Sequence, residues 1–107
     1  MVVYEKRTYS VTVGRMADVI KLYSELGWPA LEGGGFSEKL VGYFVSDTGP
    51  LHQLIHIWRF NDDVDRRDFW KRLFADKAFM KFAPEIRPLI QTQEIQLMLS
   101  APWGPKP

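Results

Sequence analysis

The period of the apolar residues switches back and forth along this chain, and the order of the switches restricts the fold. Val2 to Val11 alternate with period 2 and are rich in Val, Tyr and Thr, which predicts a strand. Beyond a turn at Gly14, Met16, Val19, Ile20, Tyr23 and Leu26 recur at helical spacing. Arg15, Asp18, Lys21, Ser24 and Glu25 take the opposite face. Gly27 is the expected C-cap of this helix, and Pro29 argues against its continuation. Lys39 to Asp47 is again strand-like, Thr48-Gly49-Pro50 is a turn, and Leu51 to Phe60 is the most β-like run, so the pair should form a hairpin. Asp62 with Asp65 three residues on opens a second helix in the manner of a capping box. Its apolar stripe is Phe69, Trp70, Leu73 and Phe74. Asp76 caps a further helical piece carrying Phe79, Phe82, Ile86 and Leu89, which Pro84 should bend. Gln91 to Leu99 alternates as a last strand. The order β-α-β-β-α-β predicts an α+β, ferredoxin-like domain. Its four antiparallel strands have the first and third in the centre and both helices on one face.

Composition limits what such a domain does. With 107 residues, 46% hydrophobic and 25% charged, the chain fits one globular domain, expected over residues 1–100, with a Pro- and Gly-rich tail over 101–107. Cysteine is absent, which removes disulfides and thiolate chemistry. A formal charge of +1 with no long basic run argues against nucleic-acid binding. The opening MVVYEKRTYS is neither a signal peptide nor a membrane span, so no membrane partner is expected and the cytoplasm follows by elimination. Gly33-Gly34-Gly35 is no phosphate loop, because no Lys-Ser or Lys-Thr pair follows it into a helix. His52 and His56 are four apart on a strand, about 13 Å, and cannot share a metal ion. No cofactor is called for.

Helices cover only one face of such a sheet. In Leu51 to Phe60, Ile55 and Ile57 suit the side beneath the helices. The opposite parity holds His52, Leu54, His56, Trp58 and Phe60, which is costly to leave in water. A second copy joined through that aromatic face would enclose it, so a homodimer, closed as a dimeric α/β barrel, is the expected assembly.

Tyr4-Glu5-Lys6-Arg7-Thr8-Tyr9, Leu40-Val41-Gly42-Tyr43-Phe44, Gly49 to Trp58 and Pro84-Glu85-Ile86-Arg87-Pro88-Leu89 together resemble the NIPSNAP family. Arg66, Arg67 and Glu94 fall where that family often carries the same residue types, whereas His52 and Lys6 depart from its pattern. The resemblance implies ferredoxin-like subunits paired as a dimeric barrel. Cofactor-independent monooxygenases, muconolactone isomerases and haem-degrading enzymes have similar architecture, but architecture does not transfer chemistry. The haem-degrading enzymes ligate iron through a helical histidine, and neither predicted helix contains one.

Glu5, Arg7 and Tyr9 share one parity of the first strand, and His56 and Trp58 share one of the third. If both sets face one cavity, His56 is the candidate acid–base group, oriented by Glu5 or Glu94. Arg7 would hold an anionic or enolate oxygen. Tyr9, Tyr43 and Trp58 would stack on a planar apolar ligand. Three readings stand at this point: a ligand pocket, a cofactor-independent monooxygenase or isomerase acting on a small phenolic substrate, and a polar core without chemistry in a structural or protein-interaction module.

Overall fold

A computed structural model describes residues 1–107. The strands are β1 (Val3–Val11), β2 (Leu40–Val45), β3 (Gln53–Phe60) and β4 (Ile90–Met98), and the helices are α1 (Met16–Leu22), α2 (Trp28–Gly33), α3 (Asp63–Ala75) and α4 (Lys77–Ile86). The sheet order is β2-β3-β1-β4, all antiparallel, which places the first and third strands in the centre.

The first helix does not stop at Gly27. A π-helical turn, Tyr23–Gly27, carries it directly into α2, and Gly27 keeps a helical φ of −68°. Pro29 fits because it lies in the first turn of α2, just after the widened turn has interrupted the i→i−4 ladder. Gly27 serves close approach, not capping: a Cβ on it would lie 2.9 Å from the Phe82 ring of α4. The left-handed position is Gly35, at φ +75°. Asp62 caps α3 by accepting from the Asp65 amide, and Asp76 caps α4 by accepting from the Phe79 amide.

The side-chain parity of β3 is the reverse of the expected one. Leu54, His56, Trp58 and Phe60 are buried on the helix side, opposite Tyr9, Arg7, Glu5 and Val3 of β1. Ile55 and Ile57 look to the other face and are half-buried. The helix layer decides, because it sets Phe69 and Trp70 against Trp58. Aromatic side chains bury about 150–250 Å² each, so enclosing Trp58 and Phe60 gains more than enclosing two isoleucines. The aromatic face is therefore covered by the chain's own helices and is not the surface across which a second copy closes a barrel. The sheet is open, not a closed dimeric α/β barrel: β2 and β4 end it as unpaired edges.

Two apolar clusters fill the layer between sheet and helices. One joins Val3, Trp58 and Phe60 to Leu31, Phe36, Phe69, Trp70 and Leu73. The other joins Val11 and Leu54 to Val19, Phe82, Ile86 and Leu89. The buried polar side chains Glu5, Arg7 and His56 occupy the sheet positions between them. On the open face, Tyr4 is buried and its hydroxyl donates to the Pro107 carbonyl at 2.6 Å, so the end of the chain returns across the sheet while Trp103 stays exposed. No helix is long and apolar enough to cross a membrane.

Candidate functional site

Alternation along β1 and β3 brings Glu5, Arg7, Tyr9, His56 and Trp58 to one face, and their register makes Arg7 and His56 direct neighbours. Glu5 is fully buried and has a cation at each oxygen. Arg7 Nε donates to Oε2 at 2.6 Å, and Arg66 Nη1, from the first turn of α3, donates to Oε1 at 2.8 Å. Arg66 also pairs with Asp63, which in turn pairs with Arg67. Burying a carboxylate costs several kcal/mol unless its lone pairs are engaged, and here both oxygens are. Glu5 is thereby spent as an anchor and has no free oxygen for orienting His56. Burial works against the charge on Arg7, but Tyr9 and Glu5 more than offset it, and the guanidinium is held in its charged form. Its carbon lies 3.7 Å from the centre of the Trp70 ring, and Nη1 donates to the Tyr9 hydroxyl at 3.3 Å.

His56 is 2% exposed. Trp58 Nε1 donates to its Nδ1 at 2.6 Å, so the ring proton sits on Nε2, which is buried without a partner. Burial first, and the Arg7 charge second, push the imidazole pKa down to about 3. At neutral pH His56 is therefore a neutral donor. Tyr43, from β2, stacks on it at 4.6 Å and 11°, and Tyr9 meets it edge-on at 4.8 Å. Trp70 Nε1 is a second buried donor without a partner.

Two openings flank this cluster. At the β2 edge, a groove of about 510 Å³ lies between α1 and the sheet. Eight of its nine lining residues are apolar, among them Val19, Tyr23, Trp28, Tyr43 and Leu54. Burial pushes the Tyr23 and Tyr43 hydroxyls above the ordinary phenol value, so both remain O–H donors. A smaller pocket of about 120 Å³, towards β4, is lined by Arg7, Tyr9, Phe74, Arg87 and Gln93 among others. Tyr23 contributes to both walls.

Of the residues singled out from sequence, Glu5, Arg7, Tyr9, Tyr43, His56 and Trp58 come together. Glu94 does not: it pairs with Thr8 of β1 and lies exposed on the open face. Its even position on β4 matches the side of Lys6 and Thr8, not that of Glu5 and Arg7. Tyr23, Trp70 and Arg87 belong to the site but were read as helix-stripe or motif residues. Arg66 carried one unused signal. A cation in the first turn of a helix opposes the helix dipole and needs a nearby anion to compensate.

Residues 4–105 match the NIPSNAP family. This chain belongs to that family. A NIPSNAP family protein of unknown function from Agrobacterium tumefaciens is 35% identical, with 97% of this chain and 92% of that one covered and a TM-score of 0.89. Mouse NipSnap homolog 2 is 24% identical over 103 residues; the match covers 96% of this chain but 35% of that protein, so the chain spans about a third of its curated relative. At 17% identity and a TM-score of 0.63, the cofactor-independent oxygenase SnoaB from Streptomyces nogalater shares the fold and covers 98% of both chains. What this NIPSNAP domain holds between its sheet and helices is a set of donors. Arg7 donates to Glu5 and to the Tyr9 hydroxyl, the N–H groups of His56 Nε2 and Trp70 Nε1 have no acceptor, and the one buried carboxylate is already engaged. The arrangement suits recognition of an oxygen-bearing molecule.

Proposed function

We propose that this chain is a small-molecule-binding protein whose ligand is a planar apolar compound with an acceptor oxygen, such as a phenol or quinone. The ligand enters the groove between α1 and the sheet, not a space between two sheets. The observation that carries this reading is the groove itself: about 510 Å³ with almost wholly apolar walls, ending at the Tyr43 ring stacked on His56. Ligand pockets commonly measure about 300–1,000 Å³ and combine apolar walls with a few placed polar groups. Tyr23 and Tyr43 supply those groups as neutral hydroxyls. His56 and Trp58 hold the Tyr43 ring in place from behind, and Glu5 with Arg7 fixes β1 beneath them. Glu94 has no part in this site.

A reaction of the cofactor-independent oxygenase kind is the second reading, and SnoaB lends it a shared fold alone. His56 suits that reading as a hydrogen-bond donor to a developing oxyanion, because the Trp58 indole occupies the lone pair a general base would use.

Intrinsic fluorescence, reporting through Trp28 in the groove wall, tests the binding proposal with a panel of phenols and naphthoquinones. We expect saturable quenching in wild type and a loss of about tenfold in affinity in Tyr43→Ala. Tyr43→Phe should lose less, since only the hydroxyl goes. Identical binding by wild type and Tyr43→Ala, or none by wild type, overturns it. A homodimer is a separate proposal. The half-exposed Ile95 and Leu97 beside the unpaired β4 edge support it, and light scattering that finds a monomer at micromolar concentration would overturn it.

A further inference from the structure

The second opening carries a different chemistry. The ion-pair chain Arg7–Glu5–Arg66–Asp63–Arg67 sets three guanidinium groups against two carboxylates. One positive charge is left over. Arg7 stands at one end of that chain, buried to nine-tenths, with Nε on Glu5 and Nη1 on Tyr9 and no protein acceptor for Nη2. It lines the 120 Å³ pocket opposite Arg87, which has no ion-pair partner of its own, and no carboxylate contributes to the wall. Gln93, Tyr9 and Tyr23 add neutral polar side chains, and Phe74, Phe79 and Phe82 are among the apolar remainder. Beneath Arg7 the Trp70 indole stacks on Phe74, so an aromatic floor holds the guanidinium in place at this wall.

We infer that this pocket binds the carboxylate of a small aromatic or aliphatic acid, with Arg7 and Arg87 on the carboxylate and the phenylalanines around the apolar body. Arginine is suited to the task because its planar fork matches a carboxylate in two parallel hydrogen bonds. The volume restricts the ligand to something of benzoate size or smaller, well below the usual range for drug-sized molecules. This site is separate from the apolar groove, and its ligand differs in charge, so either can fail without the other.

Calorimetric titration of the full chain with sodium benzoate, and with benzamide as the neutral isostere, tests it. We expect benzoate to bind and benzamide to bind at least about tenfold more weakly, as loss of a charge-assisted pair implies. Arg7→Lys should weaken benzoate binding because the fork is lost. Since Arg7 also supports Glu5, Arg87→Glu is the decisive variant. It alters an exposed side chain, so its thermal unfolding should match wild type while its benzoate affinity falls at least about tenfold. No benzoate binding at millimolar concentration, equal binding of benzamide, or an unchanged affinity in Arg87→Glu would each overturn the inference.

Discussion

The indole N–H of Trp58 donates to Nδ1 of His56 at 2.6 Å, across two residues of a single strand. Same-face neighbours on a strand lie about 6.5–7 Å apart at Cβ, and only a large donor meeting a ring acceptor spans that distance. The contact fixes the tautomer and leaves Nε2–H as the group that His56 presents.

His56 should accordingly stay neutral across the physiological range. NMR titration of its ring carbons is expected to show no inflection from neutral pH down to about pH 4, given a pKa near 3. An inflection close to 6.5 would mean that the ring is solvated and not packed under Tyr43.

The same shift implies an acid limb in stability. The unfolded chain takes up the His56 proton near 6.5, whereas the native chain resists until about 3. Between those values the unfolded state binds more protons, so stability is complete above about 6.5 and falls as the pH drops. The full contribution is about 4–5 kcal/mol at most. Urea denaturation at several pH values should show a shallower acid limb in His56→Gln, which keeps an acceptor for Trp58 but cannot titrate. Parallel limbs in variant and wild type would exclude His56 as the cause.

Glu5→Gln should be among the most damaging polar substitutions in the chain. It leaves Arg7 and Arg66 facing a neutral amide in a buried site, and we expect a loss of about 3–5 kcal/mol in chemical denaturation. The exposed pair Arg72 and Asp68 provides the contrast: Arg72→Gln should cost no more than about 1 kcal/mol.

Two glycines of one helical segment should respond with opposite signs. At Gly27 an added Cβ meets the Phe82 ring at 2.9 Å, so Gly27→Ala should destabilise by about 1–3 kcal/mol. At Gly33 nothing lies within 4 Å, and Gly33→Ala should be neutral or stabilise by up to about 1 kcal/mol. Thermal unfolding of the two variants side by side checks both.

Local pattern by itself determined the order of elements, the central position of β1 and β3, the aspartate caps of α3 and α4, and the grouping of Glu5, Arg7 and Tyr9 on one strand face. Each follows from spacing along a few residues, because side-chain direction repeats every 2 positions in a strand and every 3.6 in a helix. Which face of β3 turns inward could not be read that way. Both parities are apolar enough to bury, and the choice rests on a helix layer that brings Arg66 to Glu5 and Phe69 and Trp70 to Trp58. The expected barrel fell with that choice, since the aromatic face it was meant to cover is already covered. The helical continuation through Gly27 and Pro29 was likewise hidden, because it depends on the Phe82 ring arriving from a distant helix. Tertiary packing alone also decided the placement of Tyr23 and Arg87 around the two cavities and of Trp70 beneath Arg7. Those residues share no motif and meet only because the helices fold back over the sheet.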